Sequence, residues 1–585
     1  MKRISLLSKR ILSNVKWQFF AAVFLLVIAG VCVFSNTVEN AFVLDDYDVI
    51  VKNSSIRDIS KIPVFLSRFF NRSIFYVSLV TNYVFSGLDP RGYHLFNSCL
   101  HISNSILLFI LLFLFLKVKI VKDITWYLIP LMASLIFLLH PIQALTINHI
   151  ATRSVMLCTF FSFCALIFYV LALKRFFNAA VCHLCCALAF LFFLCALASK
   201  SIAVSLPVLA ILFFYVEREE TENSVFPFSI FSAYSLMFVL FTAAIFLVFF
   251  TGNIWQRPYH SIFVNFATQI EVIFRYLILF FLPRKLVPEY DVPYKLGFDC
   301  PLCGASVVLL CLMFFIWKKR KKFPYIFLGF FFFIVAILPS SSFIPRINSM
   351  LLYRLYFPIA GLSIAFASVL RMPFTVKHNR AKPIIMCAAV FYVLCLGVMS
   401  IGYNTLFTSN LKLWKHIAGV LPDSYIAHYN VGTYTIQEER DFTTAIKSLE
   451  RSIELKGDFA KAYFHLGLAL HQTNDIQGAL RVYAKALKLE PSRYDYYANF
   501  GNAFFALGEF LQAIRCYEIY LKNYAEEAPI YSNLCLAYLR VNQFPQALEA
   551  CDKAIKLSPD NKNFQELRKL VVSNIGRPEG RQRSG

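Results

Sequence analysis

The chain has 585 residues, 58% of them apolar and only 16% charged, with 63 Phe and a mean hydropathy of +0.61. That balance excludes a soluble protein over roughly the first 400 residues and describes a chain that crosses a membrane many times. The formal charge of +23 does not indicate a nucleic-acid partner, because Lys and Arg fall in short runs between apolar stretches, such as Lys318-Lys319-Arg320-Lys321-Lys322, where the positive-inside rule expects them.

Lys2, Arg3, Lys9, Arg10 and Lys16 precede an apolar run from Trp17 to Phe34 with no small-residue cleavage site after it, which predicts an uncleaved anchor. Further spans are expected near 97–116, 126–140, 154–173, 179–198, 202–216, 227–250, 302–317, 323–339, 352–370 and 383–402, giving eleven with the anchor at 17–35. With the N-terminus cytoplasmic, Lys117, Lys119, Lys122, Lys174, Arg175, the run at 318–322, Arg371, Lys377, Arg380 and Lys382 all fall on the cytoplasmic side. Only the acidic Glu217 to Glu222 departs, and acidic residues weigh little in that rule. Residues 262–283 are apolar but carry Glu271 and Arg275, so 251–301 reads as an external loop with a re-entrant or interfacial helix. The odd number of spans places everything after residue 403 on the outer face, together with Asp45 and Asp46.

Most of the 16 cysteines lie in apolar stretches (Cys32, Cys158, Cys164, Cys182, Cys185, Cys186, Cys195, Cys311, Cys387, Cys395), where they act as small hydrophobes. Cys300 and Cys303 form a lone CxxC, too little for a zinc or redox site.

From about Tyr425 the sequence repeats. Gly432, Gly467 and Gly501 recur at spacings of 35 and 34, and Ala445, Ala479, Ala513 and Ala547 at 34 each. With Tyr483 and Tyr517 on the second helix and Pro491 and Pro559 ending repeats, this is the tetratricopeptide (TPR) pattern. Each repeat alone cannot bury its apolar face, so stacking supplies the core. The first-helix position carrying Asn430, His465, Asn499 and Asn533 is a candidate groove where an amide could pair with a peptide backbone. The fold class expected is all-α: a polytopic transmembrane helical bundle of about 11 spans over 1–402, with external loops 36–96 and 251–301, a connector at 403–424, and a soluble TPR α-solenoid over 425–573. Its repeats are 425–459, 460–493, 494–527 and 528–561 with a capping helix, followed by a disordered tail at 574–585.

The membrane part carries an ordered series of segments: FVLDDYDVIVKN at 42–53, Gly92-Tyr93-His94-Leu95-Phe96-Asn97 with His101, LLHPI at 138–142 followed by Arg153, and SKSIAVSLP at 199–207. RYLILFFLPRKLVPEYDVPY at 275–294, YRLYFPIAG at 353–361 and a Trp414 segment before the repeats complete it. Over essentially the whole chain this series resembles the multi-span O-mannosyltransferase family with lumenal tetratricopeptide repeats, together with its bacterial relatives. The resemblance implies a GT-C glycosyltransferase that takes a sugar from a polyprenyl-phosphate carrier and delivers it on the outer or lumenal face.

Such transfer needs a base to activate an acceptor hydroxyl and cations to stabilise the departing phosphate. Asp45 or Asp46 is the candidate base, alone or with a divalent metal ion, and Arg153, Lys200 and Arg354 are the candidate phosphate ligands. The same residues also read as solvated or snorkelling side chains at span ends. His94 and His140 are possible supporting residues, although lone histidines at span edges are more often structural, and His94 with His101 is too sparse for a metal site.

The chain departs from the family pattern at three places. Where members carry Glu after the His-Pro pair, after the Lys near 200 and before the Arg of the late motif, it has Leu145, Ser201 and Tyr353. A site keeping its cations without those acids is more positive, which suits a diphosphate or otherwise more anionic donor. Glu289 and Asp291 are candidate replacement acids. The expected partners are a membrane lipid-linked sugar and a protein or glycan acceptor held by the repeats. A non-catalytic TPR scaffold for envelope assembly is the competing class, and a transporter is disfavoured by the lack of mid-span charges. Asn53-Ser54-Ser55 and Asn71-Arg72-Ser73 are glycosylation sequons only if the source is eukaryotic. The short loops favour a bacterial inner membrane with periplasmic repeats over an ER membrane with lumenal ones.

Overall fold

The computed structural model describes residues 2–68, 70–174, 178–220, 261–294, 300–341, 348–375 and 381–575. The chain separates into two compact units, Met1–Lys412 and Leu413–Gly585.

The first unit opens with α1 (Lys2–Phe34), followed by two short helices of the first loop, α2 (Ile62–Arg68) and α3 (Ser73–Ser86). The body continues through α4 (Pro90–Lys122), α5 (Leu128–Leu139), α6 (Pro141–Asn148), α7 (Arg153–Leu173), α8 (Ala179–Ser199) and α9 (Leu206–Glu220). It ends with α10 (Ile262–Phe281), α11 (Cys300–Lys318), α12 (Pro324–Ile337), α13 (Ile359–Arg371) and α14 (Lys382–Asn404). Local chemistry sets the boundaries. Asp89 caps α4 by accepting from the Arg91 amide, with Pro90 pre-set for the first turn. Pro141 cannot continue α5, so the chain bends by 53° and restarts as α6. Between α12 and α13, a Cβ on Gly329 would stand 2.5 Å from the Gly361 carbonyl oxygen, so these two glycines let the backbones touch as small residues do between membrane helices.

The described residues are nearly all helical, as expected. A two-residue antiparallel ladder pairs β1 (Glu289–Tyr290) with β2 (Met350–Leu351), Glu289 opposite Leu351.

Seven described helices are long and apolar enough to cross a membrane: Lys16–Glu39, Pro90–Lys117, Ile150–Leu173, Ala179–Ser199, Ser201–Glu219, Ile262–Phe281 and Lys382–Thr408. The bent pair Thr125–Leu139 and Pro141–Asn148 makes an eighth if taken as one span. Four apolar helices are shorter, and three of them (Gly304–Lys318, Pro324–Ile337, Ile359–Phe374) fall where spans were expected, so the count of about 11 is not reached by length and hydropathy. The span expected at 227–250 lies outside the described residues, as do the side chains of Cys300 and Cys303. The exclusion of 262–283 from the spans is not supported by composition, because Glu271 and Arg275 pair at 2.6 Å one turn apart and leave the rest of α10 apolar. The contacts of α10 are with Ser349 and Leu351 through Gln269 and Tyr276, and with Phe366 in mid-α13 through Phe280 and Phe281.

Side-chain contacts sort the helix ends of this unit into two groups. One end joins Arg371 to Asp123 at 3.0 Å, Lys174 to Glu217, Arg320 to the Tyr215 hydroxyl, and Lys119 over the Trp126 ring. The other is rich in amides: Asn40 donates to Asn148 and to the Asn404 carbonyl, Asn404 donates to the Val33 carbonyl, and Asn410 donates to the Phe42 carbonyl. Asp45 and Asp46 lie in the loop that follows Asn40 at this second, amide-rich end.

After α15 (Asn410–Val420), the second unit stacks antiparallel helix pairs: α16 (Tyr425–Tyr434) with α17 (Phe442–Leu455), α18 (Ala460–Gln472) with α19 (Ile476–Leu489), α20 (Tyr497–Ala506) with α21 (Phe510–Asn523), and α22 (Ala528–Arg540) with α23 (Phe544–Leu557). A last helix, α24 (Lys562–Ile575), covers the end of the stack, burying Phe564 and Val571 against it. Asp441 and Asp475 cap second helices by accepting from the amides of Thr444 and Gly478. Ala445, Ala479, Ala513 and Ala547 are fully buried, where only a methyl fits between paired helices.

Candidate functional site

The two adjacent aspartates separate. Leu44 adopts a left-handed conformation (φ 53°), which turns the chain so that Asp45 is exposed and Asp46 points inward. Asp46 is fully buried, its Oδ2 accepting from the Val43 amide at 3.2 Å and its Oδ1 from the Ala151 amide at 2.7 Å. Burial raises its carboxyl above the ordinary range, opposed by His149, whose Nε2 lies 3.9 Å away, and by the backbone amides. Asp46 therefore ties the first loop to the turn before α7. Asp45 remains the accessible one.

Arg153 is also engaged within the protein. It is fully buried, with Nε donating to Asn97 at 2.6 Å, Nη1 to Asn82 at 2.5 Å and Nη2 to the Tyr93 carbonyl at 3.1 Å. Nη1 also reaches the Ser78 carbonyl and hydroxyl, and the guanidinium lies 4.5 Å from the Phe96 ring centroid. The histidines bond within the protein as well. His94 donates to the Ala41 carbonyl at 3.3 Å. His140 donates through Nε2 to the Phe280 carbonyl while its Nδ1 caps α6 at Ile142. His101, expected only as a weak partner of His94, instead bridges the Leu138 carbonyl and the Tyr356 hydroxyl.

Lys200 and Arg354 do meet. Both line a cavity of about 30 Å³, together with Val155, Ser201, Ser340 and Tyr353. Lys200 follows the end of α8 in an extended conformation, its Nζ donating to Ser154 at 3.3 Å and lying 4.9 Å over the Tyr353 ring. Arg354 is held by the Ser349 and Asn348 carbonyls at 3.1 and 2.9 Å. Ser201 and Tyr353 are two of the three places where glutamate was expected, and both face this cavity. Among the described residues no carboxylate lines it, and the Lys200 ammonium lies over the π-face of Tyr353, at one of the places where glutamate was expected. The third place, Leu145, is buried in α6. The space admits about two waters, enough for phosphoryl oxygens but not a whole headgroup.

Glu289 links this cavity to the first loop. It sits exposed on β1, opposite Leu351 on β2, three residues before Arg354. Partial desolvation raises its carboxyl, Arg354 opposes that, and the charges of Asp291 and Asp45 add to it. Asp45, Glu289, Asp291 and Arg354 therefore lie within electrostatic range of one shared region. Among the described residues no three His, Cys, Asp or Glu side chains are grouped to hold a metal ion.

In the repeats, the position expected to form an amide ladder is largely spent within the domain. Asn430 Nδ2 bonds its own helix at the Ile426 carbonyl, and His465 packs against the Tyr429 and Phe464 rings. Asn533 donates to Asn502 Oδ1, which also accepts from Tyr517, and Asn499 is half-buried. The sequence reading missed Asn502, one turn further along its helix. It also missed Cys535 and Cys551, which form a disulfide.

Two family profiles match the chain, one described as tetratricopeptide repeat over residues 528–561 and one as TPR repeat over 467–508. No curated protein matches. Among solved structures, the chain is similar to YrrB, a TPR protein with an unusual peptide-binding site, at 19% identity over 27% of this chain and 82% of that one (TM-score 0.25). It is also similar to MamA, at 23% identity over 26% and 90% (TM-score 0.25), and to MamA 41-end from Desulfovibrio magneticus RS-1, at 20% over 26% and 90% (TM-score 0.24). Each of these likenesses covers about a quarter of the chain.

Proposed function

We propose that the protein is a membrane glycosyltransferase that moves a sugar from a polyprenyl-phosphate or polyprenyl-diphosphate carrier to a protein or glycan acceptor on the periplasmic or lumenal face, with the repeats engaging the acceptor or a partner protein. The observation that carries this reading is the cavity lined by both Lys200 and Arg354, with Glu289 within electrostatic range of Arg354 and of Asp45. Asp45 takes the proton of the acceptor hydroxyl, whose oxygen attacks the anomeric carbon. The bond from that carbon to the phosphate oxygen breaks, and Lys200 and Arg354 stabilise the charge left on the phosphate. Two cations without the expected glutamates favour a donor with more than one phosphate charge. Asn404 and Asn410 bond into the end of the first unit that carries Asp46, which supports a chain leaving that unit on the acceptor side.

The test is sugar incorporation into envelope proteins and glycans at matched membrane abundance. Asp45→Asn is compared with Asp48→Asn, an exposed neighbour that pairs with Lys52 one turn away. A glycoform lost in the first variant and kept in the second supports the transferase. Identical glycan profiles with partners still bound to the repeats would replace it with the scaffold reading.

A further inference from the structure

The first three repeats set a glycine of the first helix against a larger side chain of the second: Gly432 on Leu449, Gly467 on Tyr483 and Gly501 on Tyr517. The fit is close, since a Cβ on Gly467 would stand 2.5 Å from the Tyr483 ring and one on Gly501 2.7 Å from the Tyr517 ring. In the fourth repeat, 34 residues further on, the same two positions hold Cys535 and Cys551. These are bonded to each other, with Cα atoms 5.6 Å apart, an ordinary disulfide separation. A glycine-aromatic contact has been exchanged for a covalent bond at an equivalent place. Two thiols supply far fewer atoms than Gly plus Tyr, so an unbonded pair would leave the α22–α23 contact underfilled. Both cysteines are fully buried, and the third cysteine of this unit, Cys516, is buried and unbonded.

We propose that the Cys535–Cys551 bond forms as the fourth repeat folds, that it replaces the packing pair of the other repeats as the closure of that repeat, and that the TPR unit therefore matures in an oxidising compartment. The two thiols lose two protons and two electrons as the S–S bond forms, and an external disulfide, protein or small molecule, is reduced to two thiols in exchange. Once folded, burial keeps the bond from reductants. The inference does not depend on the transferase reading, since a non-catalytic scaffold would carry the same bond.

The experiment alkylates the full-length chain in membranes under denaturing conditions, digests it without reduction and follows the peptides holding residues 535 and 551 by mass spectrometry. The expected result is a linked peptide pair that survives reductant added to the folded chain and separates only when denaturant and reductant act together. Two separately alkylated peptides in the unreduced sample would overturn the proposal. The double variant Cys535→Gly/Cys551→Tyr restores the contact of the second and third repeats and is expected to keep the wild-type Tm of the repeats. Cys551→Ser alone is expected to lower it by about 10 °C. An unchanged Tm in Cys551→Ser would show that the bond does not close the repeat and would equally overturn it.

Discussion

The Ala151 amide donates to Asp46 Oδ1 at 2.7 Å across 105 residues of sequence, fixing the first loop to the start of α7. Both carboxylate oxygens of Asp46 accept backbone hydrogen bonds, so Asp46→Asn puts an NH₂ where an oxygen accepted and sets donor against donor. That substitution is expected to destabilise the first unit by about 1–3 kcal/mol. It should lower membrane abundance and, per folded molecule, leave transfer largely intact. Asp45→Asn should do the reverse. Thermal unfolding in detergent, read beside sugar incorporation per folded molecule, separates the two aspartates.

Arg153 makes the same distinction among the cations. Arg153→Lys keeps a charge but cannot span Asn97, Asn82 and the Tyr93 carbonyl together, and it strands buried amide oxygens. A loss of about 2–4 kcal/mol in the stability of the solubilised chain is expected. Lys200→Met, in contrast, should leave stability within about 1 kcal/mol and raise the apparent KM for the lipid-linked donor.

The repeats and the alternation of apolar and basic segments were legible because periodicity is local: a 34-residue recurrence and an 18-residue apolar window each need only contiguous sequence. The fates of Asp45 and Asp46 were not. They turn on Leu44 adopting φ 53°, and nothing about Leu announces a left-handed residue. Arg153 looked like a phosphate ligand because its partners Asn82 and Asn97 lie 71 and 56 residues away. The disulfide could have been found by carrying the Gly and Tyr registers forward into the fourth repeat, where both positions read Cys.

If the absence of acids shapes donor choice, returning one should reverse it. Tyr353→Glu places a carboxylate beside Lys200, whose Nζ now lies 4.9 Å over that ring, and offsets one of the two cavity cations. The expected outcome is a shift of about tenfold in kcat/KM away from a diphosphate-linked donor toward a monophosphate-linked one, about 1.4 kcal/mol of selectivity. Unchanged selectivity would sever donor choice from cavity charge.

The raised carboxyl of Glu289 gives a prediction for the acid side of the pH profile of transfer. Where its deprotonated form assists transfer, activity falls with acid at a higher pH than an ordinary glutamate would give, because the folded site holds the proton more tightly. Glu289→Gln removes that titration, and the acid limb of kcat/KM should move to lower pH. An acid limb that does not move would assign the titration to another group.

His465 gives the repeats their own pH dependence. Its ring lies 5.3 Å from that of Tyr429 and 5.5 Å from that of Phe464, and burial, helped by Lys461 and Arg493, lowers its pKa to about 4. The unfolded chain titrates near the ordinary value of about 6.5. Between those values the folded repeat binds fewer protons than the unfolded chain. Its stability contribution is therefore complete above about pH 6.5 and is lost as pH falls toward about 4. The half-buried ring makes this worth on the order of 2 kcal/mol. Hydrogen exchange of the Ala460–Gln472 amides in the full chain, corrected for the intrinsic pH dependence of exchange, should show protection falling across that window. His465→Gln should flatten the profile, because the glutamine has no proton to gain. A wild-type profile already as flat as the variant's would mean that the ring is charged in the folded repeat as readily as in water.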